Sequence, residues 1–305
     1  MPAPLSVGDG ASAAALLGLT TDVLQVLERL ALPSRRPVLG ASAGQRRSLR
    51  HGSSLDLADF RPYTPGDDIR RLDWSAYARL GRLFMRLYAG EEDTCVTLWV
   101  DCSASMACEP VTKERPGRAI AGAIAYLALA AWDRAACVGF GTSVVGRAGP
   151  VRGKRSAPRL WAALAGLPRS TGTEWKSVTG AASQWPRGMA VVISDFLSRP
   201  DELRPALAAL RRAGNEVLLV QVLSPGELRP AVKGELRLVD SETGRAVEVT
   251  MGRAALAAYQ HARAEHGREL AALARGYRAR LVVVDGSTSL RQVLLGQMVR
   301  TGVLI

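Results

Sequence analysis

Three oxygen-bearing side chains stand on alternate residues of one short stretch: Asp101, Ser103 and Ser105. They follow directly on residues 94–100, a β-branched and apolar run that reads as a buried strand. A loop leaving the end of a strand can turn all three inward. One carboxylate and two hydroxyls are hard oxygen donors. They suit Mg2+, which takes octahedral oxygen ligands and keeps several of its waters; Mn2+ and Ca2+ are alternatives of the same class. Asp and Ser are also common turn formers after a strand, so the spacing alone leaves a plain turn and a cation site side by side. A second carboxylate, Asp195, follows residues 189–194, another strand-like run. If the two strands are parallel neighbours, both carboxylates share one edge of the sheet.

The elements that would position them alternate in type from residue 94 onward. Residues 94–100, 136–140, 189–194, 216–222 and 280–284 read as strands. Residues 118–132, 157–167, 175–183, 201–213 and 253–275 read as helices. That alternation predicts βαβ units and an α/β fold with a mainly parallel sheet flanked by helices. Such sheets bind ligands at the carboxyl ends of their strands, near the point where the strand order reverses. Residues 235–239 and 246–249 flank a turn-rich DSETG and read as a small hairpin insertion. Upstream, residues 1–12 read as a disordered tail and Thr21 or Asp22 as the cap of a short helix. Residues 41–54 read as a polar, Arg-rich loop. The expected division is 1–39 as tail and helix, 40–92 as an Arg/Asp-rich segment packing on the main domain, and 93–305 as the main domain.

Composition narrows the class. The chain carries 40 Lys and Arg against 28 Asp and Glu, a net charge of +12. Residues 35–86 hold eleven Arg and five Asp, so half of that surplus falls in about a sixth of the chain. A basic patch can meet nucleic acid, anionic lipid or an acidic protein. All but Lys113, Lys154, Lys176 and Lys233 of the basic residues are Arg, which fits a general compositional bias. The four cysteines form no C-x-x-C pair and read as free thiols of a reducing compartment. His261 and His266 are five residues apart and would point to different helix faces, which argues against zinc. No signal peptide is visible, and the longest uncharged run, residues 119–132, is too short to span a bilayer. The expected location is cytoplasmic.

Several catalytic signals fail. Gly139, Gly141 and Gly146 miss the spacing of a dinucleotide loop, and Arg155 stands where a P-loop needs Ser or Thr. No G-x-S-x-G surrounds Ser103 or Ser105, and neither has an obvious histidine base.

The stretch DCSASM after TLWV resembles the first motif of von Willebrand factor type A domains. The metal-ion-dependent adhesion site of that family adds a threonine from a later loop and an aspartate after a later strand. The matching positions are Thr173, in STGTEW, and Asp195, in VVISDF. The family loop more usually reads Gly-Gly-Thr. Thr171 replaces the first glycine here and rivals Thr173 for the role. The resemblance implies that Ser103 and Ser105 bind the metal directly, with Asp101, Thr173 and Asp195 doing so directly or through water.

A longer block, FRPYTPGDDIRRLDWSAYAR over residues 60–79, is similar to the signature of a bacterial family, domain of unknown function 58. There it precedes a type A-like domain, as it does here, and the DSETG hairpin matches too. Members are often encoded beside MoxR-type AAA+ ATPases, which implies such a partner. Pro65 and Gly66 read as a turn, with Asp67 and Asp68 as capping or Arg-pairing groups. Arg61, Arg70, Arg71, Trp74 and Arg79 form either an internal Arg–Asp network or a docking surface, since Arg and aromatic residues are favoured at interface hot spots.

Together these readings point to a non-enzymatic, Mg2+-dependent protein–protein interaction module that leaves one coordination position open for a partner's Glu or Asp. The ATPase-adaptor role rests on the family resemblance. Two rivals stand: nucleic-acid binding through the Arg-rich segment, against which its five Asp count, and a metal-dependent hydrolase.

Overall fold

The computed structural model describes residues 10–33, 57–64, 72–88, 94–108, 113–230 and 234–305. Two compact units divide the chain. One joins residues 1–33 to 94–305, and the other holds residues 34–93.

The larger unit begins with α1 (Gly10–Leu16) and α2 (Thr21–Leu27). Residues 10–12, read from the sequence as part of a tail, are therefore helical, and Ala13, Leu17, Leu19, Val23 and Leu27 are buried. The smaller unit holds the antiparallel pair β1 (Leu57–Pro62) and β2 (Phe84–Tyr88), with α3 (Trp74–Leu80) between them. Asp73 caps α3: its Oδ1 accepts from the amides of Ser75 at 2.9 Å and Ala76 at 3.0 Å.

From residue 94 the chain runs through β3 (Cys95–Asp101), α4 (Glu114–Ala130), β4 (Arg134–Phe140), β5 (Val144–Arg152), α5 (Ala157–Ala165), α6 (Trp175–Ala181) and β6 (Gly188–Ser194). It continues through α7 (Pro200–Arg212), β7 (Glu216–Leu223), α8 (Pro225–Leu228), β8 (Gly234–Val239), β9 (Ala246–Met251), α9 (Arg253–Gly276), β10 (Arg280–Asp285) and α10 (Leu290–Gln292). Six strands form one sheet in the order β10-β7-β6-β3-β4-β5. All neighbouring pairs are parallel except β4 with β5. The sheet is thus the expected mainly parallel α/β type, with one antiparallel edge strand. Strands β8 and β9 form the separate hairpin.

Every residue of β3 and β6 is buried, as strands covered on both faces require. Alternate side chains feed two cores. Val96, Leu98 and Val100 join α4, α5 and the N-terminal helices. Trp99 on the opposite face joins Phe140, Trp175, Phe196, Leu203 and Leu270. Helix α4 is buried almost all round because Ala and Gly let its neighbours close in. A Cβ on Gly122 would stand 3.0 Å from Leu19 and 3.3 Å from Trp161. The helix starts a turn before its expected first residue, since Pro116 fits within a first turn that needs no amide there. Strand order reverses between β3 and β6, the first strand growing toward β4 and β5 and the second toward β7 and β10. Asp101 ends β3, and Asp195 follows β6 at the same edge.

Candidate metal centre

The centre is built at the reversal of strand order, where an open α/β sheet leaves a crevice between diverging loops. Asp101 is 1% exposed. Its Oδ1 accepts from the Ser103 amide at 2.9 Å, which folds the loop back over the strand end. The hydroxyls of Ser103 and Ser105 lie 3.0 Å apart, Ser103 entering a short 3-10 turn, Ala104–Ala107.

Thr173 arrives on the loop before α6, and its hydroxyl meets both oxygens of Asp101 at 3.1 Å. Two contacts bring that loop in. The Ser170 amide donates to the Cys102 carbonyl at 2.7 Å, and the Glu174 amide donates to the Gly141 carbonyl at 3.0 Å. Gly141 is the residue the approach demands, because a Cβ there would lie 2.3 Å from Ser170. Arg118 secures the base of the same loop by donating to the carbonyls of Ala165 and Leu167, each at 2.7 Å. Thr171, the rival threonine, is exposed. All five expected ligands, Asp101, Ser103, Ser105, Thr173 and Asp195, therefore lie at one edge of the sheet.

Beneath them an aromatic stack ties three loops together. Trp175 lies 5.4 Å from Phe140 and stacks on Phe196 at 5.6 Å and 3°. Phe196 follows Asp195 and holds a φ of 49°, a left-handed conformation costly to a non-glycine residue. The Phe196 amide donates to Ser194 Oγ at 3.0 Å, and the Phe196 carbonyl meets His266 Nε2 at 2.7 Å.

Four participants escaped the sequence reading. The Ser194 hydroxyl donates to Asp101 Oδ2 at 2.7 Å. Lys113, 2% exposed, donates to Asp195 at 2.6 Å and to Glu227 at 2.5 Å. Glu227 is also the last member of a capping box: Ser224 accepts from its amide, and it accepts from the Ser224 amide. Glu242, in the turn of the β8–β9 hairpin, accepts from the Thr173 amide at 3.5 Å, the limit of a hydrogen bond. The signals existed in outline. Lys113 is one of four lysines in a chain of forty basic residues, and Ser224 to Glu227 is a legible S-x-x-E directly after a strand.

The electrostatics divide the two aspartates. Asp195 has an ammonium beside it. Burial is the largest influence on Lys113 and pulls its pKa down, but Asp195 and Glu227 reverse this and the net direction is upward. Asp101 is bonded only to hydroxyls and an amide, all neutral. Burial pushes its pKa up, the Ser194 bond lowers it, and the charge of Asp195 raises it again. Glu242 is also pushed up, first by burial, with the Thr173 amide acting against it and the charges of Asp101 and Asp195 adding to it.

Among the described residues no three His, Cys, Asp or Glu side chains converge as a metal-binding group. The donors here are two carboxylates and a ring of hydroxyls. They fit a small hard divalent ion: a buried carboxylate bonded only to neutral groups lacks a counter-charge, and hydroxyl oxygens beside it are hard ligands. Three carboxylates, Asp101, Asp195 and Glu227, against one ammonium leave a formal charge of −2, which a divalent ion cancels.

The model of a family described as Protein of unknown function DUF58 matches residues 59–269. The chain belongs to the DUF58 family. Uncharacterised proteins from Mycobacterium tuberculosis and Mycobacterium bovis are similar to this DUF58 protein, each 28% identical over 84% of this chain and 82% of the relative. Among solved structures, the conserved hypothetical protein BatB from Bacteroides thetaiotaomicron aligns over 68% of this chain and 98% of that one, with 13% identity and a TM-score of 0.42. An aerotolerance-related membrane protein from Bacteroides fragilis aligns over 68% and 99%, with 15% identity and a TM-score of 0.39. Among the described residues of this chain no helix is long and apolar enough to cross a membrane.

The residues expected to dock a partner lie in the smaller unit. Trp74 is 62% and Tyr77 46% exposed, meeting edge to face at 6.3 Å. Arg79 is exposed and donates from Nε to the Ser75 carbonyl at 3.3 Å. Arg61 lies on β1, its side chain outside the described structure. Arg70 and Arg71, with Asp67 and Asp68, lie outside the described residues.

Proposed function

We propose that this DUF58 protein is a non-enzymatic module that binds Mg2+ through Asp101, Ser103, Ser105, Thr173 and Asp195 and uses the ion to hold an acidic side chain of a protein partner. The observation that carries the reading is Asp101: a buried carboxylate at the strand-order reversal, wrapped by hydroxyls and without a basic hydrogen-bond partner. Burying an unpaired carboxylate is expensive, and a cation would remove that expense. Bound there, Mg2+ would act as a Lewis acid toward an incoming carboxylate.

The residues of the chain do the rest. Ser103 and Ser105 are bonded to each other rather than to a base, an arrangement of ligands and not of an activated nucleophile. Thr173 and Ser194 hold the two Asp101 oxygens in place. Lys113 offsets one carboxylate, so the centre is not so acidic that it repels an anionic partner. A MoxR-type AAA+ ATPase is the proposed partner and the cytoplasm the proposed location, both on the strength of the family resemblance.

The test is calorimetric titration of Mg2+ into wild type and Asp101→Asn, followed by capture of the purified ATPase with Mg2+ or chelator. Saturable binding that Asp101→Asn abolishes, with chelator-sensitive capture, is expected. Equal Mg2+ binding by both proteins would remove the metal from the reading. Chelator-insensitive capture would remove it from partner recognition.

A further inference from the structure

The turn from α4 into β4 lies at the edge of the sheet opposite Asp101, because β3 and β4 are parallel and Trp132 and Asp133 precede β4. Trp132 is 67% exposed, whereas Trp99, Trp161 and Trp175 are buried. Its backbone is unusual too. The Asp133 amide donates to the Ala128 carbonyl at 3.0 Å and the Trp132 amide to the Leu129 carbonyl at 3.3 Å, the pairing that ends a helix on one left-handed residue. That residue is usually glycine, since a Cβ is disfavoured there. Here it is a tryptophan at a φ of 64°. This tryptophan adds little to the core and strains the backbone, and strained residues collect at functional sites.

The surroundings are basic. Residues 132–159 hold five Arg and one Lys against one carboxylate, Asp133. Arg134 and Arg152 stand opposite each other on β4 and β5. The indole lies against the next turn, where a Cβ on Gly153 would stand 3.8 Å from Trp132 Cζ3. That turn carries Arg152 and Arg155, both exposed, as is Arg159 at helical spacing from Arg155. Lys154 is already paired with Glu28 at 2.6 Å. Among the described residues, no other large apolar side chain from 130 to 160 is exposed. The patch therefore offers one flat ring among guanidinium groups, without an apolar floor for a peptide side chain or a lipid. A stacked base needs only a ring face, and guanidinium groups match phosphates. We propose that Trp132, Arg152, Arg155 and Arg159 form a binding surface for single-stranded nucleic acid, with a base stacked on the indole and phosphates on the arginines. This surface is separate from the metal centre and does not depend on it.

The experiment measures fluorescence anisotropy of a labelled oligothymidylate with the full chain in chelator, over a range of salt, beside thermal unfolding of the same proteins. Trp132→Gly should raise Tm by about 2 °C, because glycine suits the left-handed position, and yet bind about tenfold more weakly. A gain of stability with a loss of binding separates a lost contact from a folding defect. Replacing Arg155 and Arg159 together by Ala should flatten the dependence of log K on log salt, from a slope of about −2 for three phosphates to about −0.7 for one. Polyglutamate, phosphatidylserine vesicles and a duplex of the same length are the other arms and should bind more weakly. Tighter binding of any of them overturns the single-strand assignment. Absence of binding by wild type, unchanged binding or a lower Tm in Trp132→Gly, or a salt slope unmoved by the arginine changes also overturns it.

Discussion

Replacing Lys113 by Met keeps the length of the side chain and deletes the ammonium shared by Asp195 and Glu227. Lys113 and Asp195 are almost completely shielded, with side-chain exposures of 3% and 4%. Removing one partner of such a buried pair costs about 3–5 kcal/mol, mostly because the other charge is left uncompensated. In a domain of this size that is a fall in Tm on the order of 10 °C. The same change moves the formal charge of the centre from −2 to −3. Two unit charges at 4 Å and an effective dielectric of 20 interact by about 4 kcal/mol, and a divalent ion at twice that distance by about as much. Even with most of that screened, Mg2+ affinity should rise about tenfold, equivalent to about 1.4 kcal/mol. The two effects are coupled. Excess Mg2+ at about 100 times its Kd adds about 2.7 kcal/mol to the folded state, so metal should restore much of what the substitution removes. Thermal unfolding of both proteins, in chelator and in saturating Mg2+, reads this directly. The reasoning is refuted if Lys113→Met loses less than about 1 kcal/mol in chelator, or if Mg2+ stabilises it no more than wild type.

Thr173→Val keeps shape and deletes the hydroxyl that serves both Asp101 oxygens; it should cost about 1–3 kcal/mol and weaken Mg2+ binding, whereas Thr171→Val, at an exposed position, should change neither. Calorimetry on the pair decides between the two threonines, and a metal defect in Thr171→Val alone would reverse the assignment. Asp133, at the opposite end of β4, has its pKa raised from 3.8 to about 6 by burial, with Arg152 acting against the shift. A carboxyl raised in the fold favours the folded state below its unfolded pKa, and that contribution is lost as pH rises through about 6. Asp133→Asn should therefore stabilise the protein by about 1–2 kcal/mol at pH 8, after discounting for its partial exposure. The gain should shrink as pH falls through 6 and vanish near 4. Urea midpoints across that range test the sign, and a gain that persists at pH 4 would contradict it.

What could be read in the chain follows the range of the interactions. Asp101, Ser103 and Ser105 are local, and a buried strand ending on alternate oxygen ligands is visible in a dozen residues. Asp195 was found because it follows a second apolar strand, whereas the direct pairing of β6 with β3, past β4 and β5, was only a condition of the sequence reading and is set by the sheet order. Thr173 was different, since nothing about one threonine in a polar loop marks it, and it came only from the family resemblance. Lys113 could not be paired from the sequence, as its partners lie 82 and 114 residues away. Strand β5 carries Gly146, Gly149 and Pro150, residues that blur a strand pattern in the sequence and that an edge strand tolerates and a central one does not. Of the N-terminal helices only the second was expected, since α1 is a short run of small residues, yet Ala13 and Leu17 are buried and a Cβ on Gly122 of α4 would meet Leu17 at 3.2 Å.

The distribution of charge explains why the least visible residues matter most. In a chain whose basic residues are nearly all Arg, the cation that, among the described residues, pairs with a carboxylate of the centre is a Lys. A guanidinium is a wide planar fork suited to one bidentate carboxylate, whereas an ammonium is a compact point charge with donors in three directions. The compact ammonium of Lys113 reaches two carboxylates from different strand ends, the buried Asp195 and the partly exposed Glu227. Lys113 thereby leaves Asp101 as the carboxylate without a basic partner, and the hydroxyls of Ser103, Ser105 and Thr173 gather on that side. On the proposed reading, the lysine sets how much negative charge is left for an ion to offset, a contribution that the local ligand pattern in the sequence does not display.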